Sequence, residues 1–139
     1  MDFLSKVNEN KEKMIQDMQG LLRIDSTLIE NPDSKEAPFG EGIRQSLDYL
    51  LDLGEKMGFA VKNVNNVSGH IEYGEGQDIV GILVHVDVVP AIGKWKYPPF
   101  SATIEGNKLY ARGANDDKGP AIAALYALKA LKDLGVKLN

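Results

Sequence analysis

The 139-residue sequence contains no cysteine and only two histidines, His70 and His85. Without cysteine there are no disulfides, no thiolate metal sites and no cysteine nucleophile, so any metal site must use imidazole and carboxylate. A basic excess is also missing. Sixteen Lys and Arg stand against 20 Asp and Glu, a net charge of −4, which argues against a nucleic-acid partner, since such partners usually need a basic face, and equally against docking on an anionic membrane. Long apolar runs are absent too. The run Ile79-Val80-Gly81-Ile82-Leu83-Val84 is far short of the roughly 20 residues of a transmembrane helix. At the N-terminus, Lys6, Glu9, Lys11, Glu12 and Lys13 interrupt any signal-peptide core. The expected location is the cytoplasm. With 43% hydrophobic and 26% charged residues, the composition is that of a globular domain of ordinary size.

Periodicity then organises the chain. Phe3, Leu4, Val7, Met14, Ile15, Met18, Leu21 and Leu22 recur at helical spacing, which predicts one amphipathic helix over residues 3–22. A polar, turn-rich loop occupies residues 25–41. Ile43, Leu47, Leu50, Leu51 and Met57 define a second helix, and Gly58 suits its C-terminal stop. Short strands are expected over 59–64 and 70–73, separated by Asn65-Asn66 and Gly69. Residues 78–86 read as a central strand covered on both faces. Residues 103–105 and 108–111, joined by Gly106-Asn107, read as a hairpin. A third helix spans 120–134, with Pro120 at its first position and Gly135 at its end. The pattern predicts an α/β fold with a mixed sheet flanked by helices.

Chemistry concentrates at three positions. Residues i and i+2 of a strand point to the same side, so His85 and Asp87, at the carboxyl end of residues 78–86, aim an imidazole and a carboxylate into one crevice. Such crevices are where open α/β sheets bind ligands. Either His85 coordinates a metal while Asp87 orients its other ring nitrogen, or the two belong to a hydrolytic triad. The triad lacks a Gly-x-Ser-x-Gly elbow. Asp116 and Asp117 fall just ahead of the third helix, whose dipole favours ionised carboxylates; alone they would read as a capping turn. Beside a metal-directed histidine, an ionised aspartate is an ingredient of two-metal hydrolases, where a carboxylate bridges the ions. Lys118-Gly119-Pro120 does not satisfy a phosphate-binding loop. His70, alone on a short strand, reads as structural. Trp95 and Tyr97 fit either the crevice mouth or packing.

The stretches His85-Val86-Asp87-Val88-Val89-Pro90, Trp95, Pro98-Pro99-Phe100 and Leu109-Tyr110-Ala111-Arg112-Gly113-Ala114-Asn115-Asp116-Asp117-Lys118-Gly119-Pro120 resemble the di-zinc exopeptidase family. That family includes glutamate carboxypeptidase, aminoacylase, acetylornithine deacetylase and carnosinase. The Asp-Asp-Lys-Gly-Pro ending is most similar to the bacterial PepV-type dipeptidases, since the deacetylases often carry Met where Asp117 stands. The opening helix, Arg23-Ile24-Asp25-Ser26 and the second helix fit as well. The resemblance implies that His85 is a terminal zinc ligand, Asp116 bridges two zinc ions, and Asp87 holds the His85 ring as part of the catalytic apparatus. It also implies a cis peptide between Asp116 and Asp117. Ala111 departs from the family's usual Gly, and Arg112 is expected as a structural ion-pair partner. The family's Glu-Glu pair, its remaining ligands and its lid domain have no counterpart here. Glu72, Glu75 and Asp78 do not match them. The expectation is the N-terminal portion, residues 1–139, of a zinc dipeptidase catalytic domain, acting on small peptides and inactive by itself, with weak or no zinc binding. An N-acyl amino acid deacylase and a non-catalytic binding module are the rival readings. An open sheet edge would invite self-association.

Overall fold

The helical N-terminus starts at a capping aspartate. In the computed structural model, which describes residues 2–138, the Ser5 N–H donates to Asp2 Oδ1 at 2.8 Å and α1 (Phe3–Glu9) follows. The expected single helix is divided at Asn10. Its side-chain amide donates to the Lys6 carbonyl at 3.0 Å, while its own N–H turns to Val7 O at 3.2 Å. A side chain thus occupies the acceptor that the i→i−4 ladder would use, as Asn does when it competes with helix backbone. Helix α2 (Lys11–Leu22) resumes directly.

Helix α3 (Glu41–Lys56) ends at Gly58, which holds φ +77. Strands β1 (Ala60–Val64) and β2 (Ser68–Glu72) form an antiparallel hairpin closed through Asn65 and Asn66. The second strand begins earlier than expected and contains Gly69, paired with Asn63. A Cβ at Gly69 would lie 2.9 Å from the Lys62 carbonyl oxygen and 3.0 Å from the Leu51 methyls. The missing side chain is what lets α3 lie against the hairpin. Strands β3 (Thr103–Glu105) and β4 (Lys108–Tyr110) pair across Gly106-Asn107 as expected. Helix α4 (Lys118–Asp133) begins two residues ahead of Pro120.

Helix α4 packs on α2, and α3 on the β1–β2 hairpin. Between them lies a core of Leu21, Leu53, Phe59, Ile122, Leu125 and Tyr126. Each side chain of that size contributes about 1.5–3 kcal/mol through burial. One carboxylate is buried at the α2–α4 contact: Asp17 accepts from the Tyr126 hydroxyl at 2.6 Å and pairs with Lys13 on its other oxygen.

The α/β class stands, with helices beside small antiparallel sheets, but the expected central strand does not form. Among the described residues there are two separate two-stranded antiparallel sheets, and residues 78–86 join neither. Ile79, Val80, Ile82 and Leu83 are exposed, Leu83 at 97%. An apolar strand becomes a buried element only where neighbours pair with its edges and cover its faces. Here the only ladder-type pairing among the described residues is an isolated parallel bridge, Thr27 to Val88, just past the segment. The strand-like alternation nevertheless survives: Val86 and Val88 turn inward, His85 and Asp87 outward. No helix among the described residues is long and apolar enough to cross a membrane.

Candidate metal centre

That alternation presents His85 and Asp87 on one side, as the i and i+2 spacing requires. Two hydrogen bonds hold the segment in place: Ser26 Oγ donates to Val86 O at 2.6 Å, and Val88 N–H donates to Ser26 O at 3.1 Å. From the other direction, the loop after β4 carries Asp116 to the same place. Gly113 makes this approach possible. It holds φ +84, and a Cβ there would meet Val88 Cγ1 at 2.9 Å, so a side chain would be both strained and obstructed. The Asp116–Asp117 peptide bond is cis.

The histidine ring is held between carboxylates on both edges. Nε2 lies 3.0 Å from Asp116 Oδ1, and Nδ1 lies 3.2 Å from both Asp87 Oδ1 and the Asp87 carbonyl oxygen. The His85 backbone N–H donates to Asp117 Oδ2 at 3.1 Å. Burial works to lower the His85 pKa, but the Asp116 hydrogen bond, the Asp87 carbonyl and both carboxylate charges outweigh it, leaving the pKa above the ordinary value of 6.5. Both ring nitrogens face acceptors, so the ring satisfies them only as the imidazolium, donating from each edge. A divalent ion at Nε2 would replace one of those protons.

The pair fits such an ion. Two donor atoms on one tetrahedral zinc, each at roughly 2.0–2.2 Å, stand about 3.3 Å apart, close to the 3.0 Å between His85 Nε2 and Asp116 Oδ1. Asp87 stands where a carboxylate fixes the tautomer of a ligating histidine. The set is short, however. Among the described residues no group of three or more His, Cys, Asp or Glu is placed to hold a metal, and a catalytic zinc takes three protein ligands. The residues open onto a shallow cavity of about 290 Å³, lined by residues 85, 87–89 and 111–116. Asp116 is 82% exposed there.

Other expected positions lie elsewhere. His70 pairs with Glu72 at 3.0 Å on the hairpin, away from the site. Neither Trp95 nor Tyr97 lines the cavity. Trp95 stacks under the Arg112 guanidinium at 4.9 Å, and the Tyr97 hydroxyl donates to Glu105 at 2.8 Å. Arg112 has no ion-pair partner among the described residues; it donates to Pro90 O at 3.3 Å instead. Spacing and motif point to Asp117 but give no role at the site to Ser26 or Lys118. Lys118 is fully buried and donates from Nζ to Leu21 O at 3.1 Å and Ile24 O at 2.8 Å. Burial pushes its ammonium down to about 8, against the pull of Asp25.

Fold and site together resemble the M20 class of peptidases. Residues 81–139 match the model of Peptidase family M20/M25/M40, a stretch that contains His85, Asp87 and Asp116. Among particular relatives, the chain is 51% identical over its whole length to "Putative dipeptidase YtjP" of Bacillus subtilis and spans 30% of that protein. It is 46% identical over 94% of its length to a "Putative dipeptidase" of Staphylococcus epidermidis, spanning 28% of it. Among solved structures, an M20 family metallo-carboxypeptidase of Sulfolobus solfataricus matches 88% of the chain with a TM-score of 0.65 and 31% identity, over 28% of that protein. The chain thus spans under a third of the length of these relatives.

Proposed function

We propose that the chain is the N-terminal portion of the catalytic domain of a zinc-dependent dipeptidase. The observation that carries this reading is His85, held between Asp87 and Asp116 with its Nε2 3.0 Å from Asp116 Oδ1. The dipeptidase names of the relatives at 51% and 46% identity support it. His85 would be a terminal ligand to one zinc ion, and Asp116 would bridge to a second. A zinc pair supplies Lewis-acid polarisation of the substrate carbonyl and acidifies bound water. Asp87 keeps the His85 ring oriented, with the proton on Nδ1 and Nε2 free to bind. The Asp-Asp-Lys-Gly-Pro ending and the relatives' names favour a dipeptidase over an N-acyl amino acid deacylase, and the Asp117 carboxylate accepts the His85 N–H.

The two-donor set makes this chain a partial site. With zinc added, the 139-residue chain is expected to bind the ion weakly and to leave dipeptides intact. A longer polypeptide containing it should hydrolyse dipeptides in preference to N-acetyl amino acids. Measurable dipeptide cleavage by the 139 residues alone, or a preference for N-acetyl substrates in the longer protein, would contradict the proposal.

A further inference from the structure

The two halves of the site come from distant parts of the sequence, and a third segment touches both. Residues 21–27 run from the last turn of α2 into the following loop and lie beneath the site. Upward on one side, Ser26, which is fully buried, donates its hydroxyl to Val86 O and accepts the Val88 N–H, while Thr27 makes the parallel bridge to Val88. These contacts bracket Asp87 and stand one residue from His85. On the other side, the buried Lys118 extends from the first position of α4 to the carbonyls of Leu21 and Ile24. These are carbonyls at the C-terminal end of α2, where the helix dipole favours a cation. Lys118 follows Asp117 directly, so its ammonium ties the Asp116–Asp117 step to the same segment.

Residues 21–27 are themselves fixed. Leu21 and Leu22 are fully buried. Asp25 Oδ1 accepts from both the N–H and the hydroxyl of Thr27, at 3.0 and 2.7 Å. Helix α3 abuts the segment so closely that a Cβ at Gly42 would overlap the Asp25 carbonyl oxygen. Neither Ser26 nor Lys118 touches the cavity, and the chemistry of the site does not call on either.

We propose that residues 21–27 are the common frame of the site, and that Ser26 and Lys118 are positioning residues that set His85 against Asp116 and Asp117. The meaning of this arrangement for metal binding rests on the zinc dipeptidase reading, but the geometry can be tested without metal. The His85 backbone N–H, donated to Asp117 Oδ2, spans the two halves and reports their alignment.

The test is amide hydrogen exchange by NMR on the metal-free 139-residue chain. Ser26→Ala and Lys118→Met should each lower protection at His85 by roughly fivefold or more, the scale of one lost hydrogen bond, while protection across α3 stays within about twofold. Leu125→Ala, a core truncation away from the frame, should lower protection generally with no selective loss at His85. Unchanged protection at His85 in the folded variants, or a loss there no greater than in α3, would overturn the proposal. Should Lys118→Met fail to fold, Ser26→Ala decides alone. A parallel zinc titration separates the two readings. If zinc leaves wild-type His85 unperturbed, the metal assignment fails, and the exchange data still judge the frame.

Discussion

At the scale of single residues, the polar groups that matter most are those whose charge or hydrogen bonds the core must accommodate. Tyr126 is one. Burial, together with the hydrogen bond to Asp17 and the Asp17 charge, raises its pKa far above the ordinary value of 10. The unfolded chain releases this proton near pH 10 while the folded chain keeps it. Folding stability is therefore lost as pH rises above about 10, because the unfolded state binds fewer protons there. Tyr126→Phe should cost about 1.5–3 kcal/mol at neutral pH, the range for a hydrogen bond to a charged acceptor. It should also flatten the alkaline decline; denaturant melts from pH 7 to 11 would show both, and an unchanged alkaline limb would contradict the assignment. Spacing and motif single out His85, Asp87 and Asp116, and the structure brings their side chains together. Neither spacing nor motif announces Lys118 as a buried cation, because a lysine at a helix start ordinarily reads as solvated, and only the two carbonyls at the end of α2 make its burial tolerable.

Elements were legible where periodicity and local turn chemistry agreed. Helices α3 and α4 and the β3–β4 hairpin fall within a few residues of expectation, because their apolar stripes and their glycine or asparagine turns point the same way. The misreadings came from contacts that local pattern does not record. Asn10 divides the first helix with its own side chain, and Gly69 belongs inside β2 because α3 approaches there. Gly69→Ala should therefore push the hairpin away from Leu51 and destabilise the fold by about 1–3 kcal/mol, the scale of core overpacking. A midpoint in urea equal to that of the wild type would show that α3 does not need this close approach.

For the molecule as a whole, residues 78–86 carry the widest gap between expectation and structure. Their apolar composition called for a buried central strand; in the structure they are unpaired among the described residues, with Ile79, Val80, Ile82 and Leu83 facing solvent. Such a surface favours association. The 139-residue chain should form oligomers in a concentration-dependent way in analytical ultracentrifugation, and Leu83→Lys should shift it toward monomer. A monomer at all concentrations would contradict this. The same openness leaves His85 and Asp116 as two donors on an exposed rim, so affinity for zinc should be weak but local. The most direct test is a zinc titration of the 139-residue chain followed by NMR of its two histidine rings. Saturable, weak perturbation at His85, abolished by Asp116→Asn and absent from His70, is the predicted result. Zinc that perturbs His70 first, or leaves His85 unmoved at millimolar concentration, would contradict the assignment of the metal centre.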